Sequence, residues 1–593
     1  LGEGNAALLS VPVRLGKPRR FEFRIDLKET RSGTQLMVAL STETENLEAA
    51  ESRFLAAVRS VREGVLPPLV INRAKSLMLI DYYTRLGTPD SRARLLAEAE
   101  AWGDYHDRDR FPARIAALTG EKIRSIAARY LRDDNLQLVE LIPVEAEERS
   151  FTETSFLETM NILVPTQVTE YRELFELIGS EDAPFRIPDF QVSFNSSPMR
   201  RSSILRGPEI YLKEEHTLPL VRLGIFFPGG RIEETDRNLG ITDVVLMMIQ
   251  RKMMLEEEGV GIFRLERLGC RLGYLVENDF FGLTAGILSA NLEDAFPVLV
   301  GLHQNLEITD EEAEAAVREM VRRLALRDAP ENEAEEEALA RFYGSHPYGA
   351  FGRNQALSIR GLKREHLEEW RREKMVKSHP YIVVSGDVQG TSFLNDFVST
   401  LSDSSLRVRR AVSKKPVTGN RRTNPVVELR KPDSLLMVFQ GPEMGSHFRE
   451  MADIAGILLG GRWGYIFRRL EELGTSVDNV SVKVINELNS GTIIITLIGE
   501  GAMLEKARAN VRKILSEIPD NAVPRVPFLN AKVGAITRSH LIQLDPARIL
   551  PYTMKAVLAG ETADYARNYI LNIRQIRLGE VESVIRRYLR ISE

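Results

Sequence analysis

The sequence has very few of the residues that build disulfides and metal centres. Its 593 residues include one cysteine, Cys270, and eight histidines. A single cysteine excludes an internal disulfide and any cysteine-rich metal site. The two nearest histidines, His366 and His379, are 13 residues apart, so no pair on neighbouring helix turns is available to share a zinc ion.

The chain also lacks long apolar runs and a strong charge of one sign. Its formal net charge is −5, which gives no electrostatic reason to expect binding to nucleic acid. Apolar stretches such as residues 492–498 are far too short to cross a bilayer, so no membrane span is predicted. The composition, 43% hydrophobic and 27% charged, is typical of a soluble globular protein, and a cytoplasmic or a periplasmic location is compatible with it.

Short segments of the sequence recur at a spacing of 457 or 458 residues. Residues 1–4 resemble 459–462, residues 74–75 match 531–532, and residues 130–131 match 588–589. We interpret 1–145 and 459–593 as two copies of one unit. The second copy is preceded by a strand, turn and strand within 426–440 and a helix over about 447–459. The first copy has nothing equivalent before it, so we expect it to lack its opening strand and helix in this chain.

This repeat divides the chain into four parts. They are a truncated second domain of a first module (1–145), a linker between modules (146–204), the first domain of a second module (205–414) and the second domain of that module (415–593). Amphipathic helices alternate with short antiparallel strands, as in the hairpin predicted within 481–498 around an Asn-Ser-Gly turn. The predicted class is therefore α+β, with repeated domains of antiparallel sheet and helices packed on one face.

The third of these parts carries several motifs in a fixed order. It contains Pro-Gly-Gly-Arg-Ile-Glu-Glu at 228–234, Asn-Leu-Gly at 238–240, a helix predicted over 241–254, His-Pro-Tyr-Gly at 346–349 and Gly-Asp-Val at 386–388. This series resembles the first domain of a module of the pitrilysin/insulinase family of zinc metallopeptidases. With the repeat, the resemblance covers nearly the whole chain outside the linker.

The resemblance implies a zinc site that this chain has lost. Active members carry His-x-x-Glu-His on the helix after the glycine, where two histidines one turn apart bind zinc and the glutamate activates water. The matching positions here are Asp243, Leu246 and Met247. A further glutamate ligand is expected about 75 residues later, where this sequence has Arg322 and Arg323. No metal is therefore predicted in this chain.

A second pair of family residues is also predicted to be absent. Active members contribute an arginine and, seven residues later, a tyrosine from the second domain of a module, and these stabilise charge at the zinc. The matching positions here are Leu470 and Val477, although a shift of one residue would place Arg469 at the arginine position. No catalytic residue is assigned in this chain.

Two functions remain open at this stage. The first is the non-catalytic portion of a zinc metallopeptidase, which encloses peptide substrates while a catalytic domain outside this chain, or a partner subunit of the same family, supplies the zinc. The second is an inactive paralogue that serves as a scaffold or binding subunit. Under both readings the chain alone is predicted not to hydrolyse peptides.

Overall fold

The computed structural model describes residues 21–30, 33–42, 44–141, 153–178, 197–203, 208–253, 265, 268–301, 307–325, 330–349, 353–378, 380–388, 427–518 and 524–589. These residues form three β-sheets surrounded by helices. No helix in these ranges is both apolar enough and long enough to cross a membrane. The predicted boundaries near 146, 205 and 415 lie outside the described residues.

The N-terminal part is a hairpin followed by helices. Strands β1 (Phe21–Thr30) and β2 (Gly33–Thr42) pair in antiparallel register. The helices that follow are α1 (Leu47–Glu63), α2 (Pro68–Leu86), α3 (Pro89–Trp102), α4 (Phe111–Ala116) and α5 (Gly120–Tyr130). Helix α6 (Glu153–Ile178) lies in the predicted linker, to which the sequence analysis assigned no helix. Its Met160, Val164 and Tyr171 pack into one core with Ala56 and Ala57 of α1, so this segment belongs to the N-terminal core.

The central part is built on a six-stranded sheet with the strand order β3-β4-β8-β5-β7-β6. All neighbours are antiparallel except β4 and β8, which run parallel. The strands are β3 (Arg200–Ser203), β4 (Glu209–Glu214), β5 (Leu220–Pro228), β6 (Arg271–Val276), β7 (Phe280–Leu288) and β8 (Tyr381–Gly386). The helices are α7 (Ile241–Met253), α8 (Leu292–Gly301), α9 (Asp310–Ala325), α10 (Pro330–Tyr343), α11 (Arg353–Arg360) and α12 (Arg364–Arg371).

Both faces of this sheet are covered. On one face, alternate residues of β5 such as Val221, Leu223 and Ile225 pack against α7 and its neighbouring helices. On the other face, Phe226 joins a second core with residues from the C-terminal part of the chain. Burial on both faces explains why β5 is apolar almost throughout and does not alternate. Helices from the same part cover one face, as predicted, and helices from the two neighbouring parts cover the other.

The C-terminal part contains a four-stranded antiparallel sheet with the strand order β11-β12-β10-β9. Its strands are β9 (Val427–Arg430), β10 (Ser434–Gly441), β11 (Asn479–Asn486) and β12 (Gly491–Ile498). Its helices are α13 (Arg449–Leu459), α14 (Tyr465–Glu472), α15 (Gly501–Glu517), α16 (Arg525–Leu544), α17 (Pro546–Leu558), α18 (Tyr565–Gln575) and α19 (Leu578–Tyr588). One face of the sheet packs on these helices, and the other packs on Ala334 and Ala338 of α10.

The order of elements from β1 to α5 matches the order from β11 to α19. In each case a hairpin is followed by five helices, and the second of these helices (α2 or α16) follows a proline, Pro67 or Pro524. The α+β class is confirmed.

Candidate functional site

Helix α7 is fixed at its start by a buried carboxylate from the Pro-Gly-Gly-Arg-Ile-Glu-Glu motif. The backbone N–H groups of Gly240 and Thr242 donate to the two oxygens of Glu234, at 2.8 and 3.1 Å. Burial raises the pKa of Glu234, although these donors favour its ionised form. Gly240 has φ of +83°, and a Cβ there would lie 2.6 Å from Ile359, so the turn into the helix requires glycine.

Two of the three residues at the zinc-motif positions are core residues. Leu246 and Met247 are both 0% exposed and pack with the residues that face the six-stranded sheet. The third, Asp243, is partly accessible, and its Oδ2 lies 3.6 Å from Nη2 of Arg231. The helix therefore presents one carboxylate at these positions, and that carboxylate has a cationic partner.

Helix α9 brings its two arginines near this carboxylate. Arg322 and Arg323 both bind Glu319 of the same helix, at 3.1 and 2.8 Å. Arg323 also hydrogen-bonds Tyr274 of β6. Burial and the neighbouring Asp243 carboxylate raise the pKa of Tyr274, whereas Arg323 lowers it. The structure thus places Asp243 and Arg323 around one tyrosine, as a network of alternating charge.

This set of side chains does not fit a zinc ion. Zinc in proteins takes three or four donors from histidine, cysteine and carboxylate side chains. Of the positions considered, only Asp243 offers such a donor, and Arg231 and Arg323 place positive charge beside it. Across the described parts of the chain, no three histidine, cysteine, aspartate or glutamate side chains form a group that could hold a metal ion.

The positions matched to the family's arginine and tyrosine lie in the core of the C-terminal part. Leu470 is 0% exposed and Val477 is 7% exposed, and both pack among the buried residues on the helical side of the four-stranded sheet. The adjacent Arg469 points outward and pairs with Glu472 and Glu517. The structure does not bring these positions together with Asp243.

A buried polar network joins the two larger sheets, and the sequence analysis did not find it. Asp279, in the turn between β6 and β7, accepts hydrogen bonds from the Tyr348 hydroxyl at 2.5 Å and from the Leu488 N–H at 2.9 Å. Asn489 donates to the Tyr348 hydroxyl at 3.0 Å. Tyr348 belongs to the His-Pro-Tyr-Gly motif, whose His346 accepts from the Tyr348 N–H at 3.2 Å and holds the turn.

The second half of this network contains a buried cation. Lys555 of α17 lies 2.5 Å from Oε2 of Glu487, and Asn278 donates to the other oxygen of Glu487 at 3.1 Å. The network thus combines the β6–β7 turn, the β11–β12 turn and α17. The only sequence signal for any of its members was the motif around Tyr348, because the other residues come from segments more than 65 positions away from it and follow no local pattern.

Asp279 makes the stability of this contact depend on pH. Burial and the nearby Glu487 raise the pKa of Asp279 from 3.8 to about 6. The folded chain then binds this proton more tightly than the unfolded chain, so the contribution of Asp279 is complete below about pH 4 and is lost as the pH rises through about 6. Two pKa units correspond to on the order of 3 kcal/mol.

We therefore expect the free energy of unfolding of the native chain, minus that of Asp279→Asn, to fall between about pH 4 and pH 7. Urea unfolding of both proteins at several pH values would measure this difference, in which the other titrating groups cancel. A difference that stays constant across this range would contradict the assignment.

The largest cavity among the described residues, about 730 Å³, opens beside the start of α7 and next to α12. None of the predicted site residues lines it; its walls include Asn238, Ile241, His366, Trp370 and Lys374.

Comparison with known proteins gives matches among solved structures only. No protein-family model and no curated protein matches the sequence. The inactive domain of an M16 peptidase from Pseudomonas fluorescens is 15% identical, with a TM-score of 0.55 over 66% of this chain and 95% of that one. A putative M16-like peptidase from Alicyclobacillus acidocaldarius is 14% identical, with a TM-score of 0.54 over 67% of this chain and 97% of its own.

A chain of complex III2 from Candida albicans also matches, at 12% identity and a TM-score of 0.52, over 66% of this chain and 93% of that one. Similarity at this level of identity shows a shared fold.

Proposed function

The chain has the fold of the M16, or pitrilysin/insulinase, peptidases, and from this premise we propose that it is a non-catalytic portion of such a peptidase. In this proposal the chain forms walls of a chamber that encloses peptides, while a catalytic domain outside residues 1–593 or a partner subunit supplies zinc hydrolysis. One observation carries the proposal. An open sheet edge lies beside α7, at the positions where the family resemblance places zinc ligands and where this chain has Asp243, Leu246 and Met247.

The open edge is strand β6. Within the described ranges β6 pairs with β7 only, so its other side has no strand neighbour. Glu277 N–H donates to Phe280 O at 2.9 Å, which makes this facing pair a hydrogen-bonded one. Antiparallel ladders alternate, so the backbone groups of Leu272, Tyr274 and Val276 point away from β7.

An independent contact agrees with this register. The side chain of Gln250, on α7, donates to the Leu272 carbonyl at 2.7 Å, which requires that carbonyl to face the open side. The N–H and C=O of Tyr274 face the same side, one step further along the edge. An extended peptide added there would bind through main-chain hydrogen bonds, with little demand on its sequence.

The pair Tyr274→Pro and Tyr274→Phe tests this edge. Proline removes the outward N–H without removing a bond to β7, whereas phenylalanine keeps the N–H and removes only the hydroxyl. We expect Tyr274→Pro to weaken binding of a fluorescein-labelled, unstructured 20-residue peptide at least tenfold and Tyr274→Phe to leave it nearly unchanged. Fluorescence anisotropy would measure both, and cleavage of the same peptide by this chain is expected to be absent with or without added zinc.

Equal affinities of the two variants would show that the edge of β6 does not bind peptide. Binding that both variants lose would assign the effect to the tyrosine ring, not to its backbone. Matching melting temperatures of Tyr274→Phe and the native chain would show that the control is folded.

A scaffold subunit is the second candidate, because one of the similar folds is a chain of complex III2. A scaffold has no need for an open edge that binds peptides. The absence of any peptide affinity in the native chain, together with a stable complex with other proteins, would favour this second candidate.

A further inference from the structure

Helix α16 carries a continuous apolar face that is exposed to solvent. Five side chains on it are between 44% and 67% exposed: Val526, Leu529, Val533, Leu541 and Leu544. At 100° per residue they fall within one third of the helix circumference and extend along about 30 Å of its length. The opposite face, with Phe528, Ala531, Ala535 and Ser539, is buried in the C-terminal core. Exposed apolar patches of this kind mark interaction sites.

Helix α2 occupies the same place in the N-terminal part. Each helix is preceded by a proline with φ of −59°, and each has a lysine at its eighth residue. Lys75 donates to the carbonyl of Ala116, and Lys532 donates to the carbonyls of Arg574 and Ile576, all at 2.9 Å. These matches fix the register between the helices at 457 residues, which sets Val533 opposite Ser76 and Leu541 opposite Thr84.

The face of α2 in this register is covered by the six-stranded sheet. Ile80 and Tyr83 pack in one cluster with Leu220 at the start of β5 and Leu288 at the end of β7. Thr84 accepts a hydrogen bond from Arg222 at 2.6 Å. The backbone around Gly269 approaches Ser76 so closely that a Cβ on Gly269 would lie 3.1 Å from it.

The ion pair between Asp81 and Arg271 closes the contact at 2.5 Å. Residues 76, 80, 83 and 84 lie on the same face of α2 as residues 533, 537, 540 and 541 do on α16. The face that meets a sheet in the first helix is therefore the face that is exposed in the second.

We propose that the exposed face of α16 docks against the β-sheet of a domain of the same fold as residues 208–388, carried by a partner polypeptide. A second copy of this chain does not suit the role, because its own sheet face is already covered by α2 and α17. The proposal rests on the proposed function only in requiring a partner domain of this fold, and it does not require that partner to hold zinc.

A single introduced cysteine tests the contact. The native Cys270 is 1% exposed and so is protected from thiol reagents, whereas Val533→Cys presents a thiol on the exposed face. The full chain, labelled at residue 533 with a benzophenone maleimide, is irradiated in an extract of its source cells, and the cross-linked peptides are sequenced by mass spectrometry. The matched control is Leu571→Cys on α18, where the leucine is 51% exposed and lies off this face.

We expect at least tenfold more cross-linked product from residue 533 than from residue 571. The partner peptides are expected to come from strands of an M16-fold sheet domain, at positions equivalent to β5 or β7. An excess of unlabelled native chain should compete for this product, and an excess of Val533→Asp should not.

Three results would overturn the proposal. They are cross-linking to a second copy of this chain, cross-linking to proteins of another fold, and a yield at residue 533 no higher than at residue 571. A partner with the M16 fold but without zinc ligands would leave the docking contact standing and would count against the proposed function. Failure of docking would in turn leave the peptide-binding test on β6 unaffected.

Discussion

Replacing Leu246 by glutamate is expected to lower the free energy of unfolding by about 4 kcal/mol, because it buries a charge that has no partner. The substitution restores the residue type that the family uses as a base at this position. Here, however, Leu246 is 0% exposed and packs on the six-stranded sheet among residues such as Val245, Met248 and Leu283. A carboxylate at this position would lose its hydration without gaining a cation.

Urea unfolding of Leu246→Glu and Leu246→Met would measure this cost. Methionine preserves volume and polarity, so the control is expected to lose less than about 1.5 kcal/mol. The glutamate variant is also expected to gain stability as the pH falls, because burial raises the pKa of a carboxyl and protonation removes the buried charge. Equal stability of the two variants would show that water or a cation reaches residue 246.

Added zinc gives a second check on the same variant. A ligand that binds the folded state raises the melting temperature in proportion to its affinity. With Met247 in the core and Asp243 held by Arg231, we expect zinc to leave the melting temperature of Leu246→Glu unchanged. One reverted residue therefore does not recreate a metal centre in this packing.

The sequence allowed the prediction of elements whose pattern is local. The helix predicted over 241–254 is α7, Ile241–Met253, and the hairpin predicted within 481–498 is β11 and β12. The strand, turn and strand predicted within 426–440 are β9 and β10, and Cys270 and Met247 are buried as expected. Helical periodicity and turn chemistry are properties of neighbouring residues, so one sequence suffices to predict them.

Contacts between distant segments could not be predicted in the same way. The apolar run of β5 shows that the strand is buried on both faces, but it does not show that α2 covers one end of the sheet and α17 another. Asp279 and Leu488 are 209 residues apart in the chain and meet only in the folded structure. Helix α6 was missed because its packing partner, α1, lies about a hundred residues earlier.

The same network gives the second large effect: Lys555→Met is expected to lower the free energy of unfolding by about 3 kcal/mol near neutral pH. Lys555 neutralises Glu487, whose side chain is 8% exposed, and it also attracts the buried Glu277 and Asp279. These interactions hold the pKa of Lys555 above its usual value, although burial opposes them. Methionine keeps the length of the side chain and removes the charge, which leaves the carboxylates without their cation.

The pH dependence separates this charge effect from a packing effect. Burial raises the pKa of Glu277, and burial with the nearby Glu487 raises that of Asp279, so both carboxyls lose their charge more readily than usual as the pH falls. The destabilisation caused by Lys555→Met should therefore shrink between about pH 7 and pH 5, whereas the cost of a cavity would not change. The measurement is urea unfolding of both proteins at the two pH values.

A double-mutant cycle then assigns the effect to a particular pair. Glu487→Gln removes the charge that Lys555 neutralises most directly and keeps an oxygen that can accept from Asn278. We expect Lys555→Met to cost at least 1 kcal/mol less in a Glu487→Gln background than in the native chain. Equal costs in both backgrounds would show that Lys555 acts mainly on Glu277 and Asp279, in the β6–β7 turn. An unequal cost would show that the ion pair across α17 and the β11–β12 turn fastens the C-terminal sheet to the central one.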